Sequence, residues 1–248
     1  MNLRSPDRFE LKYLVDRTQQ VALMRELSNY MPFDRLGDEQ GRYLITSLYY
    51  DSPDHKCYWN KLEGHRFRRK VRIRVYGAAQ VTRETPCFVE IKQRINKTLQ
   101  KKRVRLSYAE AEAVCGEGES VAGQSPADQA VIEELLYLQH MLQLQPSCVV
   151  AYQRLAFQGD EYDSGLRVTF DTQLKCRAHD LTLLSLGYAE NQFFVPPQLG
   201  IMEVKANHRI PRWLAEMVNQ HQCVLRRISK YCAALEHSKL RLVQQRVT

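Results

Sequence analysis

The sequence of 248 residues lacks the features of a membrane or secreted protein. No stretch approaches the roughly 18 apolar residues that a membrane-spanning helix requires. The N-terminal segment MNLRSPDRFELKYLV has no apolar core of the kind found in signal peptides. The seven cysteines form no CxxC pair and show no regular spacing, as is typical of reduced, buried thiols. We therefore expect a cytoplasmic protein without a membrane span.

Several common catalytic motifs are also missing. The loop CGEGESVAGQSPADQ precedes a predicted helix but lacks Walker spacing, which argues against a P-loop. The seven histidines show no HxH or HExxH spacing, so we do not expect them to bind metal or to act in catalysis. The most basic segment contains few aromatic residues on which bases could stack. Nucleic acid is therefore not the expected partner.

Positive charge is what the sequence has in excess, and it is concentrated in one region. The formal net charge is +8, and residues 61–105 contain fifteen Lys and Arg against three Glu. Within FRRKVRIRVYG the residues alternate between basic and apolar, which predicts a strand with one cationic and one apolar face. The basic positions are Arg68, Lys70, Arg72 and Arg74. A face of this kind implies a specific polyanionic partner.

About eight segments of the chain alternate in this way, and predicted helices stand between them. Asp16 is expected to cap the first helix, whose apolar stripe reads Val21, Met24, Leu27 and Met31. The strands do not alternate regularly with helices, which disfavours a doubly wound parallel sheet. We predict a single α+β domain over residues 1–248, with about eight antiparallel strands closed into a barrel and helices packed outside.

The basic strand faces could simply be solvated, but as a set they predict a lumen. Like charges opposite each other on paired strands are destabilising, and the helices must cover the apolar faces. Closure of the sheet would then give a tunnel lined with Lys and Arg, groups that suit phosphate oxygens. Three carboxylates interrupt the basic faces, namely Glu10, Glu90 and Glu203. Such carboxylates are typical ligands of Mg²⁺ or Mn²⁺, although Glu10 could instead pair with Lys12 and Arg8, and Glu203 with a neighbouring Arg.

Seven motifs resemble the VTC-type polyphosphate polymerase domain and occur in its order, from about residue 6 to residue 236. They are RFELKYLV, SLYYDS, RIRVYG, FVEIKQR…KKR, AYQRLAFQG…LRVTFDT, IMEVKANHRIPRWL and ISKY. That domain is a triphosphate tunnel metalloenzyme of the CYTH-like superfamily. The resemblance implies a barrel tunnel in which the γ-phosphate of ATP, or of another nucleoside triphosphate, is added to inorganic polyphosphate with Mn²⁺ or Mg²⁺ as cofactor.

The resemblance also implies roles for individual residues. Phosphate would be bound by Lys12, Arg72, Arg74, Lys92, Lys101, Arg103, Arg154, Arg167 and Lys230. The catalytic set would be Lys12, Arg72, Arg74, Lys92, Glu203 and Lys230. Glu203 would bind the metal, with Glu10 as a second ligand. No SPX-type regulatory segment and no membrane helix is recognisable, so we expect that the chain cannot itself translocate polyphosphate and that export would involve a membrane-protein partner.

One departure from the superfamily pattern bears on the reaction. CYTH triphosphatases have ExExK on the first strand, whereas the same face reads Arg8, Glu10 and Lys12 here, which favours the polymerase branch. Two other functions stay open: hydrolysis of inorganic or organic triphosphates, and polyphosphate binding without turnover. Asp51 is expected to bind a turn or strand end, and Asp171 to cap or to pair with Arg167.

Overall fold

The computed structural model describes residues 8–77, 80–96, 98–159, 165–185, 192–207 and 209–245. The strands are β1 Arg8–Asp16, β2 Arg42–Asp51, β3 Phe67–Tyr76, β4 Pro86–Ile95, β5 Thr98–Ser107, β6 Gln145–Gln158, β7 Arg167–Arg177, β8 Leu199–Asn207 and β9 Val224–Leu225. The α-helices are α1 Arg17–Leu27, α2 Lys56–Leu62, α3 Tyr108–Glu112, α4 Pro126–Leu142, α5 Arg212–Gln220 and α6 Lys230–Gln245, and a π-helical turn covers Ala113–Glu117. Within these described ranges, no helix is both long enough and apolar enough to cross a membrane.

The strands form one nine-stranded sheet in the order β5-β4-β3-β2-β6-β7-β8-β1-β9. The pairings of β1 with β8 and β9, of β4 with β3 and β5, and of β7 with β8 are antiparallel. The predicted α+β class and antiparallel sheet are therefore confirmed. The predicted barrel is not observed, because closure requires the two edge strands to pair and no described residues join β5 to β9. A lumen lined with Lys and Arg is accordingly not shown.

The chain divides into two compact units, each built from separated segments. Unit 1 consists of Met1–Ile45, Ala151–Lys175 and Phe193–Ser229, and unit 2 of Thr46–Val150, Cys176–Gln192 and Lys230–Thr248. Strands β2, β6 and β7 contribute residues to both units. The expectation of a single domain over residues 1–248 stays a prediction.

In unit 1, helices α1 and α5 pack on the apolar faces of β1, β7 and β8. Asp16 caps α1 as predicted, and its carboxylate accepts a hydrogen bond from the Gln19 amide at 2.8 Å. The predicted stripe of α1 is confirmed at Leu27 and Met31, which are buried, but wrong at Val21, which is 62% exposed; Gln20 and Leu23 are buried instead. The Gln20 side chain donates to the Val15 carbonyl at 3.1 Å, which turns a polar residue toward the sheet.

In unit 2, the apolar sides of β3, β4 and β5 pack against α3, the π-helical turn and α4. Val71, Ile73 and Ile91 are fully buried there, with Leu135 and Leu138 of α4 among the same core residues. On this side Lys102 of β5 contacts the carboxylate of Glu134 on α4. One face of the three strands is thus covered by helices, which determines which residues lie on the other face.

Candidate functional site

The second face of β3, β4 and β5 carries basic residues in register. Lys70, Lys92 and Lys101 stand opposite one another across the three strands. The next row consists of Arg72, Glu90 and Arg103. Opposed residues of antiparallel strands point to the same side of the sheet. We call this set the cationic face: Arg68, Lys70, Arg72, Arg74, Lys92, Arg94, Lys101, Arg103 and Arg105, with Glu90.

Glu90 is the one carboxylate among these rows, and it is 1% exposed. Its Oε2 atom accepts from Arg72 Nε at 2.8 Å and from Arg72 Nη2 at 2.6 Å, while Lys101 Nζ contacts Oε1. Burial acts to raise the pKa of Glu90, but Arg72, Arg74 and Lys101 outweigh it and hold the pKa well below its usual range. Glu90 is therefore ionised, and it offsets only part of the surrounding positive charge.

Lys101 has an unusual protonation equilibrium for a lysine. Burial, together with repulsion from Arg72 and Arg74, lowers its pKa to about 8, although Glu90 opposes the change. The pKa values of Glu90 and Lys101 are both lowered, for different reasons. Several cations stabilise the charged form of Glu90, whereas burial and two neighbouring arginines destabilise the charged form of Lys101. The ammonium of Lys101 is consequently lost at a lower pH than that of an ordinary lysine, and a bound anion would favour its charged form.

Two hydroxyl groups of β2 hold arginines of the cationic face. Arg72 Nη1 donates to the Tyr49 hydroxyl at 2.8 Å, and Arg74 Nε donates to Ser47 Oγ at 3.0 Å. The Tyr49 ring stacks on the Tyr231 ring of α6, with centroids 5.1 Å apart. These contacts fix the guanidinium planes before any ligand is present, which lowers the entropic cost of binding one.

Asp51 connects the end of β2 with α2 and with Tyr231 of α6 through hydrogen bonds. It is fully buried, and it accepts hydrogen bonds from the Cys57 amide at 2.8 Å and the Tyr58 amide at 3.1 Å, at the start of α2. The Tyr231 hydroxyl donates to its Oδ2 atom at 2.5 Å. The expected role at a strand end is confirmed, and the contact with α6 extends it.

Unit 1 has a polar face of a different kind, in which charges of opposite sign alternate. Glu10, Lys205 and Arg167 stand opposite one another on β1, β8 and β7, and the next row is Lys12, Glu203 and Thr169. Lys12 Nζ lies 3.0 Å from Glu10 Oε1 and 3.4 Å from Glu203 Oε2, and Lys205 Nζ lies 2.6 Å from Glu203 Oε1. We call these residues the alternating-charge cluster: Glu10, Lys12, Arg167, Glu203 and Lys205.

The two lysines of the alternating-charge cluster respond differently to the same carboxylate. Burial acts to lower the pKa of Lys12, but Glu203 and Glu10 outweigh it and hold the pKa above its usual range. Burial lowers the pKa of Lys205, and Arg154 adds to this effect against Glu203 and Glu10. Lys12 therefore stays charged over a wider pH range than Lys205.

The two predicted arginines of unit 1 are both paired with carboxylates. Arg154 donates from Nε and Nη2 to Asp171, which is fully buried, at 2.6 and 2.7 Å. Arg167 Nη2 lies 2.5 Å from Asp34 and donates to the Tyr43 hydroxyl at 2.8 Å. The expected pairing of Asp171 with Arg167 is therefore wrong. The carboxylate that pairs with Arg154 lies on β7, and the one that pairs with Arg167 lies in the segment between α1 and β2.

Glu10 and Glu203, the predicted metal ligands, approach the same cationic atom, Lys12 Nζ. Among the described residues, no group of three or more His, Cys, Asp or Glu side chains could hold a metal ion. Two carboxylates nevertheless fit Mg²⁺ or Mn²⁺, since Mg²⁺ is usually bound by one or two carboxylates together with substrate phosphates. The alternative expected for Glu10, pairing with Lys12, is observed, whereas Glu203, expected to pair with a neighbouring Arg, pairs with Lys12 and Lys205.

The predicted site residues fall into two groups. Unit 2 contains Arg72, Arg74, Lys92, Lys101 and Arg103 on the cationic face, with Lys230 at the start of α6. Unit 1 contains Glu10, Lys12, Arg154, Arg167 and Glu203. Their roles toward phosphate and metal stay predictions. The sequence reasoning missed the β2 hydroxyls, although RYLITSLYYDS carries a signal: Tyr43, Ser47, Tyr49 and Asp51 share one strand parity.

An antiparallel sheet with a cationic face of this density is suited to binding a polyanion. The sequence matches the VTC domain family over residues 7–239, and the chain belongs to that family. Membership supports a function related to polyphosphate. The structure of the PH1819 protein from Pyrococcus horikoshii OT3 is similar, with a TM-score of 0.45 and 13% sequence identity over 96% of this chain and 99% of that chain. This similarity is too distant to assign residues or function. No curated protein matches the sequence.

Proposed function

We propose that this protein is a polyphosphate polymerase, which transfers the γ-phosphate of ATP or another nucleoside triphosphate to a growing polyphosphate chain. The observation that carries the proposal is the cationic face, where nine Lys and Arg side chains in register meet one carboxylate. Cations this close together repel one another, so the face is stabilised by a ligand with a high density of negative charge. A chain of phosphates has this high density of negative charge, and we propose it as the ligand in place of a nucleic acid.

The preformed arginines support the binding of phosphate groups. Arg72 and Arg74 are oriented by hydroxyls of β2, and a guanidinium fork matches two oxygens of one phosphate group. Lys92 and Lys101 stand opposite each other and add point charges along the same rows. In this proposal Arg103 and Lys230 extend the phosphate-binding set of unit 2, and Lys12, Arg154 and Arg167 that of unit 1.

The proposed reaction needs no strong general base. An ionised oxygen of the terminal phosphate attacks the γ-phosphorus of ATP, and the bond from that phosphorus to the β–γ bridging oxygen breaks. ADP then leaves with the electron pair. The residues of this chain bind and orient the phosphates and offset the charge that develops on them. This matches a face rich in Lys and Arg, on which Glu90 is held by Arg72 and Lys101.

The proposal includes Mg²⁺ or Mn²⁺ as cofactor, with Glu203 and Glu10 as the residues that would hold it. The ion, when bound, supplies positive charge to phosphate oxygens. Lys12 already occupies both carboxylates, and Glu203 also contacts Lys205. These contacts favour polyphosphate binding without turnover as the second candidate function. A cytoplasmic location is part of the proposal, since all seven cysteines are free thiols.

One experiment separates the candidate functions. The purified full chain is incubated with ATP and either Mn²⁺ or Mg²⁺, and ADP, inorganic phosphate and long-chain polyphosphate are each quantified. A polymerase yields ADP and polymer with little free phosphate, whereas a triphosphatase yields ADP and free phosphate. Binding of inorganic tripolyphosphate without any turnover would identify a binding module. Failure to bind tripolyphosphate at low ionic strength would overturn all three.

A further inference from the structure

The Tyr49 hydroxyl has an accepting contact but no donating one among the described residues. It accepts from Arg72 Nη1 at 2.8 Å, and no described protein atom receives its own proton. Tyr49 is only 5% exposed, so its hydroxyl is largely removed from water. A buried O–H donor without an acceptor is destabilising, which makes an acceptor supplied by a ligand favourable.

The surroundings of Tyr49 indicate the charge of that acceptor. Its neighbours on the cationic face are Arg72, Arg74 and Lys70, and burial is outweighed by these cations, so that the pKa of Tyr49 lies below its usual value. A phenol in such a field is a stronger hydrogen-bond donor than an ordinary tyrosine. Glu90 contacts the Nε and Nη2 atoms of Arg72, whereas Tyr49 contacts Nη1.

We propose that Tyr49 is a phosphate-contacting residue, whose phenol donates a hydrogen bond to an oxygen of the same phosphate group that Arg72 binds. The proposal rests on the proposed function insofar as the cationic face binds phosphate. It adds to the Lys and Arg residues a neutral donor that contributes direction rather than charge. Since a phenol donates one proton along one axis, Tyr49 selects where a phosphate oxygen lies relative to the Arg72 guanidinium.

The Tyr49 ring is held on two sides, so its hydroxyl has little freedom to turn elsewhere. It stacks on Tyr231 with an interplanar angle of 24°, and Tyr231 is fixed by its hydrogen bond to buried Asp51. The guanidinium carbon of Arg72 lies 5.6 Å from the centroid of the Tyr49 ring. Tyr231 thus acts as a positioning residue for Tyr49.

The test is titration calorimetry of the full chain with inorganic tripolyphosphate at pH 7 and low ionic strength, without metal. Tyr49→Phe removes one oxygen atom and should weaken binding about tenfold, the effect of one hydrogen bond to a charged group. Its unfolding midpoint without ligand should change little, because the substitution removes an unpartnered donor but also the acceptor of Arg72 Nη1. Tyr50→Phe is the matched control: the same substitution, one residue away, on the face packed into the core, and it should leave affinity unchanged.

A second pair of variants separates direct contact from an effect through Arg72. In an Arg72→Lys background, Tyr49→Phe should still weaken tripolyphosphate binding severalfold if the phenol contacts phosphate itself. Loss of the Tyr49→Phe effect in that background would overturn direct contact. Wild-type affinity in Tyr49→Phe would also overturn the proposal while leaving the proposed function intact. If the wild-type protein does not bind tripolyphosphate, the proposed function fails first.

Discussion

Glu90→Gln should destabilise the protein without ligand and strengthen its binding of polyanions. Glu90 is 1% exposed; its Oε2 atom contacts two nitrogens of Arg72, and its Oε1 atom contacts Lys101. Glutamine keeps the shape but removes the charge that separates these cations. Removing one partner of a buried ion pair typically costs about 3–5 kcal/mol. Lys101 can relieve part of the repulsion by releasing its proton, because its pKa is already about 8. We therefore expect the free energy of unfolding to fall by about 3 kcal/mol, the lower end of that range.

Thermal unfolding at pH 7, with and without tripolyphosphate, measures both effects. A loss of about 3 kcal/mol lowers the unfolding midpoint by roughly 6–12 °C in a chain of this size. The ligand should raise the midpoint of Glu90→Gln by more than that of the wild type, since it replaces the missing negative charge. Glu134→Gln is the control, because it removes the partner of Lys102 on the helix-covered face. Equal stability and equal affinity of Glu90→Gln and wild type would refute the reasoning.

The ionisation of Glu90 also predicts how the difference in unfolding free energy between the wild type and Glu90→Gln depends on pH. The folded-state pKa of Glu90 lies below its unfolded value. Its contribution is therefore fully present above an ordinary carboxyl pKa of about 4.3 and is lost as the pH falls through the folded-state value. The part of the stability difference that comes from the ionisation of Glu90 itself should be constant from about pH 6 to 7 and should shrink only in acid, below the ordinary carboxyl pKa.

Three further predictions concern other buried groups. Between pH 7 and 9, tripolyphosphate affinity should fall about tenfold more in the wild type than in Lys101→Arg. The anion binds the protonated lysine, and this form is lost above a pKa of about 8. Calorimetric titrations in which the two proteins show parallel pH profiles would contradict this prediction. Thr169→Val should cost no stability in urea unfolding, since the buried hydroxyl has no partner among the described residues. Asp171→Asn should lower the free energy of unfolding by about 3–5 kcal/mol in the same assay, because it leaves Arg154 buried without its charge partner. The control, Glu216→Gln, removes one partner of an exposed ion pair and should show no measurable loss.

The sequence predicts the strands well because alternation of polar and apolar residues is a local property. It predicts that Lys70, Arg72 and Arg74 share one face, and the register with β4 and β5 confirms this. It does not predict β9, since two residues carry no pattern. Closure of the sheet likewise depends on which edge strands meet, and no local pattern encodes that.

The partners of the charged residues are predicted less well, because pairing is a long-range property. Arg167 meets Asp34, which lies 133 residues away in the sequence, and not Asp171 four residues on. Tyr49 was missed because a tyrosine in a strand resembles an ordinary packing residue, although its parity with Ser47 was visible. The family motifs imply roles for Lys12 and Glu203, but the sequence does not predict their mutual ion pair, because the register of β1 with β8 that brings them together is a long-range property.

The contact between Asp51 and Tyr231 has a consequence for synthesis of the chain. Tyr231 follows Asp51 by 180 residues, and ribosomes add roughly 5–20 residues per second. Asp51 therefore emerges about 10–40 s before the phenol that binds it. During that interval the basic strands are present while α6 is not yet made, so the nascent chain exposes a positively charged surface to the polyanions around it, including the RNA of the ribosome that is making it.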